Sequence, residues 1–206
     1  MNVLVIGQHG FIGHQLSHVL SQQNHTVFPY HYNDSIDTIP RSLDWVFHVG
    51  GINNDETSGI YDFYKANVDY TVRLLEEIRG IKIKKFVYLT TTSLKNSPYV
   101  FSKVIAGQYI AHYGKTYDIP YSIVCVPSVY RIHPPQGPLI EKLMDKKTIY
   151  GDGTQEVELV HIDDVIQYLL HIVSTQERDP VHRLKGKLYS LNTIAEMLAI
   201  HPTYVK

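Results

Sequence analysis

Tyr99 and Lys103 stand four residues apart at the start of a predicted helix, so their side chains share a face and an ammonium can lie beside a phenol. That proximity lowers the phenol's pKa and favours a phenolate able to accept or return a proton. Spacing alone does not single the pair out, because Tyr61 and Lys65 repeat it. In a tyrosine-rich chain such pairs also arise as surface ion or packing contacts. Upstream context separates the two. Thr90-Thr91-Thr92 closes a predicted strand just before Tyr99, and strand C-termini are where doubly wound folds bind ligands. A hydroxyl there can hydrogen-bond the same substrate oxygen that Tyr99 protonates.

A second set of residues suits an anion. Gly7, Gly10 and Gly13 follow the apolar run Val3-Leu4-Val5-Ile6 and open a helix-like stretch. Gly7 permits a sharp exit from a buried strand, Gly10 lets backbone approach a pyrophosphate, and Gly13 lets the helix sit close to the sheet. The helix N-terminus then offers free N–H groups and a positive dipole end. Taken by itself the triplet is also compatible with a tight structural turn. His14 and His18 share a helix face at i, i+4. No carboxylate or cysteine joins them at zincin or zinc-finger spacing, so a solvated face is expected and no metal site.

The elements that must position these residues follow an alternating rhythm. Predicted strands run from Val3 to Ile6, His25 to Tyr30, Asp44 to Val49, Lys85 to Thr90 and Ser122 to Val126. Predicted helices run from Phe11 to about Gln22, near Tyr61 to Ile78, and Tyr99 to Tyr117, with Gly80 as a stop. This βαβ pattern implies an α/β fold, a parallel sheet covered by helices on both faces. Pro29 belongs near the end of its strand, since proline cannot donate to an interior ladder. After Tyr130 the character changes. His133-Pro134-Pro135 breaks the pattern, a short helix is expected around Leu139 to Met144, and Gly151-Asp152-Gly153 marks a tight turn. Val160 to Ser174 regains helical spacing after Asp163, and Leu188 to Leu191 reads as a last strand.

A chain of 206 residues can bury one core, and its glycines and prolines are scattered rather than gathered into a linker. With 19 basic and 20 acidic residues there is no electrostatic footprint for nucleic acid or an anionic membrane. A small-molecule partner is expected. The lone Cys125 excludes an internal disulfide and suits a reducing compartment. Without a basic leader pattern or a membrane-length apolar run, a cytoplasmic location is expected.

In order along the chain, these residues resemble the extended short-chain dehydrogenase/reductase family, NAD-dependent nucleotide-sugar epimerases and dehydratases in particular. Gly7-Gln8-His9-Gly10-Phe11-Ile12-Gly13 is similar to that family's GxxGxxG, and Asp44 to Gly51 to its DxVxHxAG strand beneath the adenosine and pyrophosphate. Asn67-Val68 with Thr71 and Leu74-Leu75 resembles NVxGTxxLLE; Phe86 to Thr91 resembles FVYxSS; Pro98-Tyr99 to Ser102-Lys103 matches PYxxSK. Pro127-Ser128-Val129-Tyr130 is similar to PxxVYG beside nicotinamide, and Gly151 to Val165 to GDGxQxRxFVHVxDV.

The resemblance implies a Rossmann-like, doubly wound parallel sheet with a reduced C-terminal substrate-binding lobe. Residues 1–206 would form a single NAD(P)-binding domain, with 131–162 and 175–206 contributing the lobe. It implies Thr91, Tyr99 and Lys103 as catalytic residues. Cofactor contacts would come from Gly7, His9, Gly10, Phe11, Ile12, His31, Val49, Gly50, Gly51, Asn67, Thr90, Tyr99, Lys103, Val126 and Ser128. The expected cofactor is NAD or NADP, because His31 with Tyr32, Asn33 and Asp34 replaces the usual acid for the adenosine ribose. The expected substrate is a nucleotide-sugar, and the helices near Tyr61 to Ile78 and Tyr99 to Tyr117 would form a homodimer seam. Departures leave other readings open. Val157 stands where an arginine usually meets the nucleotide diphosphate, Arg131-Ile132 replaces Gly-Pro, and the chain stops soon after Leu198. A dinucleotide-binding sensor without turnover, or a reductase of a smaller carbonyl compound, would need no such clamp.

Overall fold

Short runs of Val, Ile, Leu and Phe form strands here because both of their faces are covered. Val3, Leu4, Val5 and Ile6 are all buried, as are Val46 and Phe47, and Phe86 and Val87, the pattern of a parallel sheet between helical layers. The computed structural model describes residues 1–31, 34–53, 58–175 and 180–205. Tyr32 and Asn33 lie outside the described residues.

The order is β1 (Asn2–Ile6), α1 (Phe11–Gln22), β2 (Thr26–Tyr30), β3 (Trp45–His48), α2 (Ile60–Phe63), α3 (Tyr70–Ile78), β4 (Lys85–Thr91), α4 (Pro98–Thr116) and β5 (Tyr121–Val126). It continues with β6 (Ser128–Tyr130), α5 (Pro138–Lys146), β7 (Thr148–Tyr150), β8 (Glu156–His161), α6 (Ile162–Ser174), β9 (Val181–Arg183), β10 (Lys187–Ser190), α7 (Leu191–Met197) and β11 (Thr203–Val205). Two expectations are corrected. Helical residues from Ile60 to Ile78 are interrupted by a π-helical turn, Tyr64–Asp69, between α2 and α3. The strand expected at Leu188 to Leu191 is β10, and it is not the last: Leu191 starts α7, and β11 follows.

Two compact units result, one of Met1–Cys125 with Leu169–Arg183 and another of Val126–Tyr168 with Leu184–Lys206. In the first, six strands lie in the order β2-β1-β3-β4-β5-β9. They are parallel at β1/β2, β1/β3, β3/β4 and β5/β9. This is a Rossmann-like, doubly wound sheet whose outer strand is β2, so Pro29, paired with Val5, leaves its missing donor at an edge. Leu4, Ile6, Val46, Phe86 and Tyr88 pack on Leu74, Leu75 and Ile78 of α3 and Ala106 and Ile110 of α4. Truncating a ring as deep as Phe86 costs about 3–5 kcal/mol.

The second unit has its own core. Antiparallel β10/β8 and parallel β8/β6 make a small sheet, and β11/β7 a second. Tyr130, Ile140, Leu143, Ile149, Leu159 and Ile194 close over one another between the strands, α5 and α7. No helix among the described residues is long and apolar enough to cross a membrane.

Candidate active site

Strand order reverses at β1, which has β2 on one side and β3 on the other, and open α/β sheets bind ligands at the strand C-termini of such a switch. The residues after β1 and β3 are pressed together there. Gly7 has φ +88°, and a Cβ on it would lie 2.4 Å from the Gly50 Cα; one on Gly13 would lie 2.1 Å from the Gly7 carbonyl oxygen. Packing within the chain therefore explains both glycines. Gly10 is different. Its backbone is ordinary, φ −79°, and an added Cβ would meet just the Gly7 carbonyl oxygen, at 3.3 Å. What a side chain at Gly10 would fill is space outside the chain, beside the start of α1. That helix begins with no side-chain cap and no acidic residue in its first turn, which suits a pyrophosphate.

Opposite this turn, Lys103 is 4% exposed. Its Nζ donates to the Gly50 carbonyl at 3.2 Å and lies 4.4 Å from the centre of the Tyr88 ring. Burial disfavours the ammonium and pulls its pKa from 10.5 down to about 7. An ammonium has three donors, and one carbonyl uses a single donor; the others suit ribose hydroxyls. The glycine cradle and this lysine thus fit a dinucleotide.

Tyr99 occupies the first turn of α4, which starts where Ser97 caps it, its Oγ accepting from the Val100 N–H, and Pro98 follows as the first helical residue. The Tyr99 ring is half-buried, 6.4 Å from the ring of Phe63. Thr90 and Thr91 end β4, Thr90 buried and the Thr91 Oγ1 accepting from the Ser93 N–H at 3.0 Å. Around the β1 turn His9 is exposed, and Phe11 and Ile12 begin α1 partly buried. Val49 donates its N–H to Ile6, and His31, just past β2, donates its own to the Asp34 carboxylate at 2.6 Å. Val126 ends β5 and Ser128 begins β6; both fall in the second unit. So Gly7, Gly50, Gly51, Asn67 and Lys103 are brought together; a Cβ on Gly51 would reach Asn67 Oδ1 at 2.6 Å and Lys103 Nζ at 3.6 Å.

Three further residues of the motif segments lie here, to which the resemblance assigns no role: His48, Thr71 and Ser102. All are buried. His48 Nε2 is 2.8 Å from Thr71 Oγ1, and Ser102 Oγ is 2.9 Å from Asn67 Nδ2. Their signal in the sequence was a polar residue at the end of an apolar strand and one on the inward side of each helix. In the second unit Val157 pairs with Tyr189 across β8/β10 and packs on that core. The Arg131 guanidinium donates to the Pro134 carbonyl and to the Gln136 side chain.

The sequence model of the NAD dependent epimerase/dehydratase family matches residues 3–184. The chain belongs to that family. A UDP-2-acetamido-2,6-beta-L-arabino-hexul-4-ose reductase of Pseudomonas aeruginosa is 26% identical over 214 residues, covering 96% of this chain and 57% of the reductase. A putative UDP-glucose 4-epimerase of Methanocaldococcus jannaschii is 26% identical over 173 residues, 71% of this chain and 56% of its own. The chain thus spans little more than half the length of these two relatives. Among solved structures, UDP-glucuronic acid 4-epimerase from Bacillus cereus in complex with UDP-glucuronic acid and NAD superposes with a TM-score of 0.83 at 23% identity, over 100% of this chain and 85% of that one. UDP-glucose 4-epimerase from Thermotoga maritima with UDP-glucose gives 0.81 at 20% identity, over 100% and 85%. These two likenesses are of fold.

Proposed function

We propose that this epimerase/dehydratase-family chain is an NAD-dependent enzyme acting on a UDP-linked sugar, as an epimerase, dehydratase or reductase. The observation that carries the reading is Lys103: a buried ammonium, one helical turn after Tyr99, held by Gly50 beside a glycine turn open at Gly10. The turn from Gly7 to Ile12, with Val49, Gly50, Gly51, Thr90, Tyr99 and Lys103, would hold the dinucleotide, joined by His31. Asn67 would act on it through the loop it binds. When bound, the dinucleotide supplies a centre that takes or gives a hydride.

The protein's own part is proton transfer and placement. Tyr99 takes the proton of a sugar hydroxyl, or returns one to a keto oxygen, and Lys103 supports its phenolate by charge. The Thr91 hydroxyl bonds the same sugar oxygen and holds it in line. Asp34, folded back on the end of β2 by the His31 N–H, places a carboxylate where a 2′-phosphate would be repelled, which favours NAD over NADP.

In this reading the chain is a cofactor-binding domain with a small substrate lobe drawn from 131–162 and from residue 184 onward; β9, Val181–Arg183, is a strand of the main sheet and not part of the lobe expected from residue 175. The lone free thiol Cys125 supports a cytoplasmic setting. A second copy of the chain is the proposed protein partner. Ile60 and Tyr61 of α2, and Phe101, Val104 and Tyr109 of α4, are exposed apolar residues, whereas α4 also buries Ala106 and Ile110. A helix apolar on both sides calls for cover on both. One specific observation favours a second substrate class. Val157 lies in core packing and Arg131 is engaged by its own loop, an arrangement suited to a smaller carbonyl compound without a diphosphate.

Native mass spectrometry of the purified protein, followed by assays with UDP-sugars and simple ketones, tests the proposal. The expected result is a retained or readily loaded dinucleotide and turnover of a UDP-sugar. Turnover of ketones alone would move the assignment to the second class, and a protein that takes up no dinucleotide would contradict both.

A further inference from the structure

Buried polar side chains in the first unit are joined into one relay whose donors and acceptors are all fixed. Thr71 Oγ1 donates to the Asn67 carbonyl at 2.7 Å, so its single proton is used, and at 2.8 Å from His48 Nε2 it can just accept. His48 must therefore carry its proton on Nε2, with Nδ1 bare; Nδ1 is buried with no partner among the described residues. On the other side Ser102 Oγ donates to the Tyr99 carbonyl at 2.8 Å. Ser102 must therefore accept from Asn67 Nδ2 at 2.9 Å. The second Nδ2 proton goes to the Ile52 carbonyl at 3.0 Å, and Asn67 Oδ1 accepts the Ile52 N–H at 2.9 Å. Every hydrogen-bonding direction of the Asn67 amide is thereby assigned by its neighbours.

The relay spans β3, the π-helical turn, α3, the loop after β3 and the first turn of α4. Its two ends are the two things the site needs held: the Gly50-Gly51-Ile52 loop, whose Gly50 carbonyl receives Lys103, and the backbone of Tyr99. Around His48 the rings of Tyr88, Tyr70 and Phe86 stand edge-on at 5.2, 6.2 and 6.4 Å, a wall that excludes water. Burial and the Lys103 charge both keep the imidazole neutral, and a neutral His48 leaves Lys103 as the cation of this pocket.

We infer that Thr71 and Ser102 are positioning residues: through Asn67 they lock the loop after β3 to the start of α4, and so fix Lys103 and Tyr99 relative to each other while holding His48 as its neutral Nε2–H tautomer. The inference deepens the proposed site and rests on that reading for its catalytic meaning, but its core concerns the protein alone. Thr71→Val keeps the shape and removes both bonds; Thr71→Ser keeps the hydroxyl; Ser102→Ala cuts the other arm without touching Thr71.

Nitrogen NMR of the imidazoles and a titration of the Lys103 side-chain signals, on the protein without ligand, read the relay directly. In the wild type and in Thr71→Ser, His48 should show a protonated Nε2 and a bare Nδ1. Thr71→Val should lose that single tautomer. In both Thr71→Val and Ser102→Ala the Lys103 midpoint should rise at least tenfold in proton affinity as water reaches the loosened loop, with Thr71→Ser unchanged. A wild-type spectrum with the proton on Nδ1, or variants whose Lys103 titrates as the wild type does, would overturn the relay. Should the protein prove to bind no dinucleotide, the functional proposal falls while these spectra still decide this one.

Discussion

At the residue scale, glycines that look equivalent in a motif divide by what each one touches. Gly13→Ala drives a Cβ into the Gly7 carbonyl at 2.1 Å, backbone that cannot yield, and should cost several kcal/mol of stability, of order a large core disruption. Gly10→Val meets little of its own chain, so its melting temperature should stay within about 3 °C of wild type, while dinucleotide titration by fluorescence should show binding lost. If Gly10→Val binds as wild type, the pyrophosphate lies elsewhere. Lys103 makes a different prediction. Its folded pKa of about 7 lies below the unfolded value of 10.5, so between those values the unfolded chain holds a proton that the folded one has released. Stability must then rise with pH from about 7 to 10.5, and below pH 7 the full burden of a buried cation remains. Lys103→Met should accordingly raise the melting temperature most at pH 6 and least near pH 10.5, though it removes activity; a gain that does not depend on pH would show that Lys103 is not buried as a cation. The tyrosine-lysine spacing was legible in the sequence, and its surface copy was separable only in part. The structure completes the division, because Tyr61 is 69% exposed with Lys65 Nζ over its ring at 5.9 Å, whereas Lys103 is 4% exposed. Burial of that lysine is a product of β3, β4 and α4 meeting, and no local pattern encodes it.

At the element scale, α4 has two jobs on two sides. Small residues let it approach the sheet: a Cβ on Gly107 would already touch Ile123 and Tyr88 at 3.8 Å. Its outer side presents Phe101 at 68% exposure. Sedimentation velocity should give twice the chain mass for the wild type and the single-chain mass for Phe101→Glu, because a charge at the centre of an apolar seam has no partner. A wild-type monomer would refute the seam. Strands β1 to β5 and the helices α1 and α4 were legible to within a residue or two, since apolar runs bounded by Gly, Pro and Ser leave few alternatives. The π-helical turn was not. Most of its inward residues, Phe63, Ala66, Asn67, Tyr70 and Thr71, keep three-and-four spacing, so the pattern reads as one continuous helix; inside the turn Asn67 is held by Ile52 and Ser102, tertiary partners that no local pattern encodes.

At the scale of the whole molecule, the first unit follows from its sequence more readily than the second. Its central strands β1, β3 and β4 are buried on both faces, whereas β7, β10 and β11 are short and largely exposed, giving weak periodicity, and β7 and β11 went unanticipated for that reason. The same contrast separates what is firm in function from what is proposed: family membership rests on residues 3–184, and substrate choice on a second unit whose Val157 and Arg131 depart from the family motif. In the proposed function a phenol at position 99, supported by Lys103, moves the proton that accompanies hydride transfer at the β1 switch. Stopped-flow absorbance at 340 nm, on wild type and Tyr99→Phe loaded with NAD and mixed with UDP-sugars, tests it most directly. Tyr99→Phe should bind NAD within about twofold of wild type, and its absorbance change should be slower by about 10²–10⁴-fold, the range for loss of a general acid–base group. Equal rates in the two proteins would contradict that role.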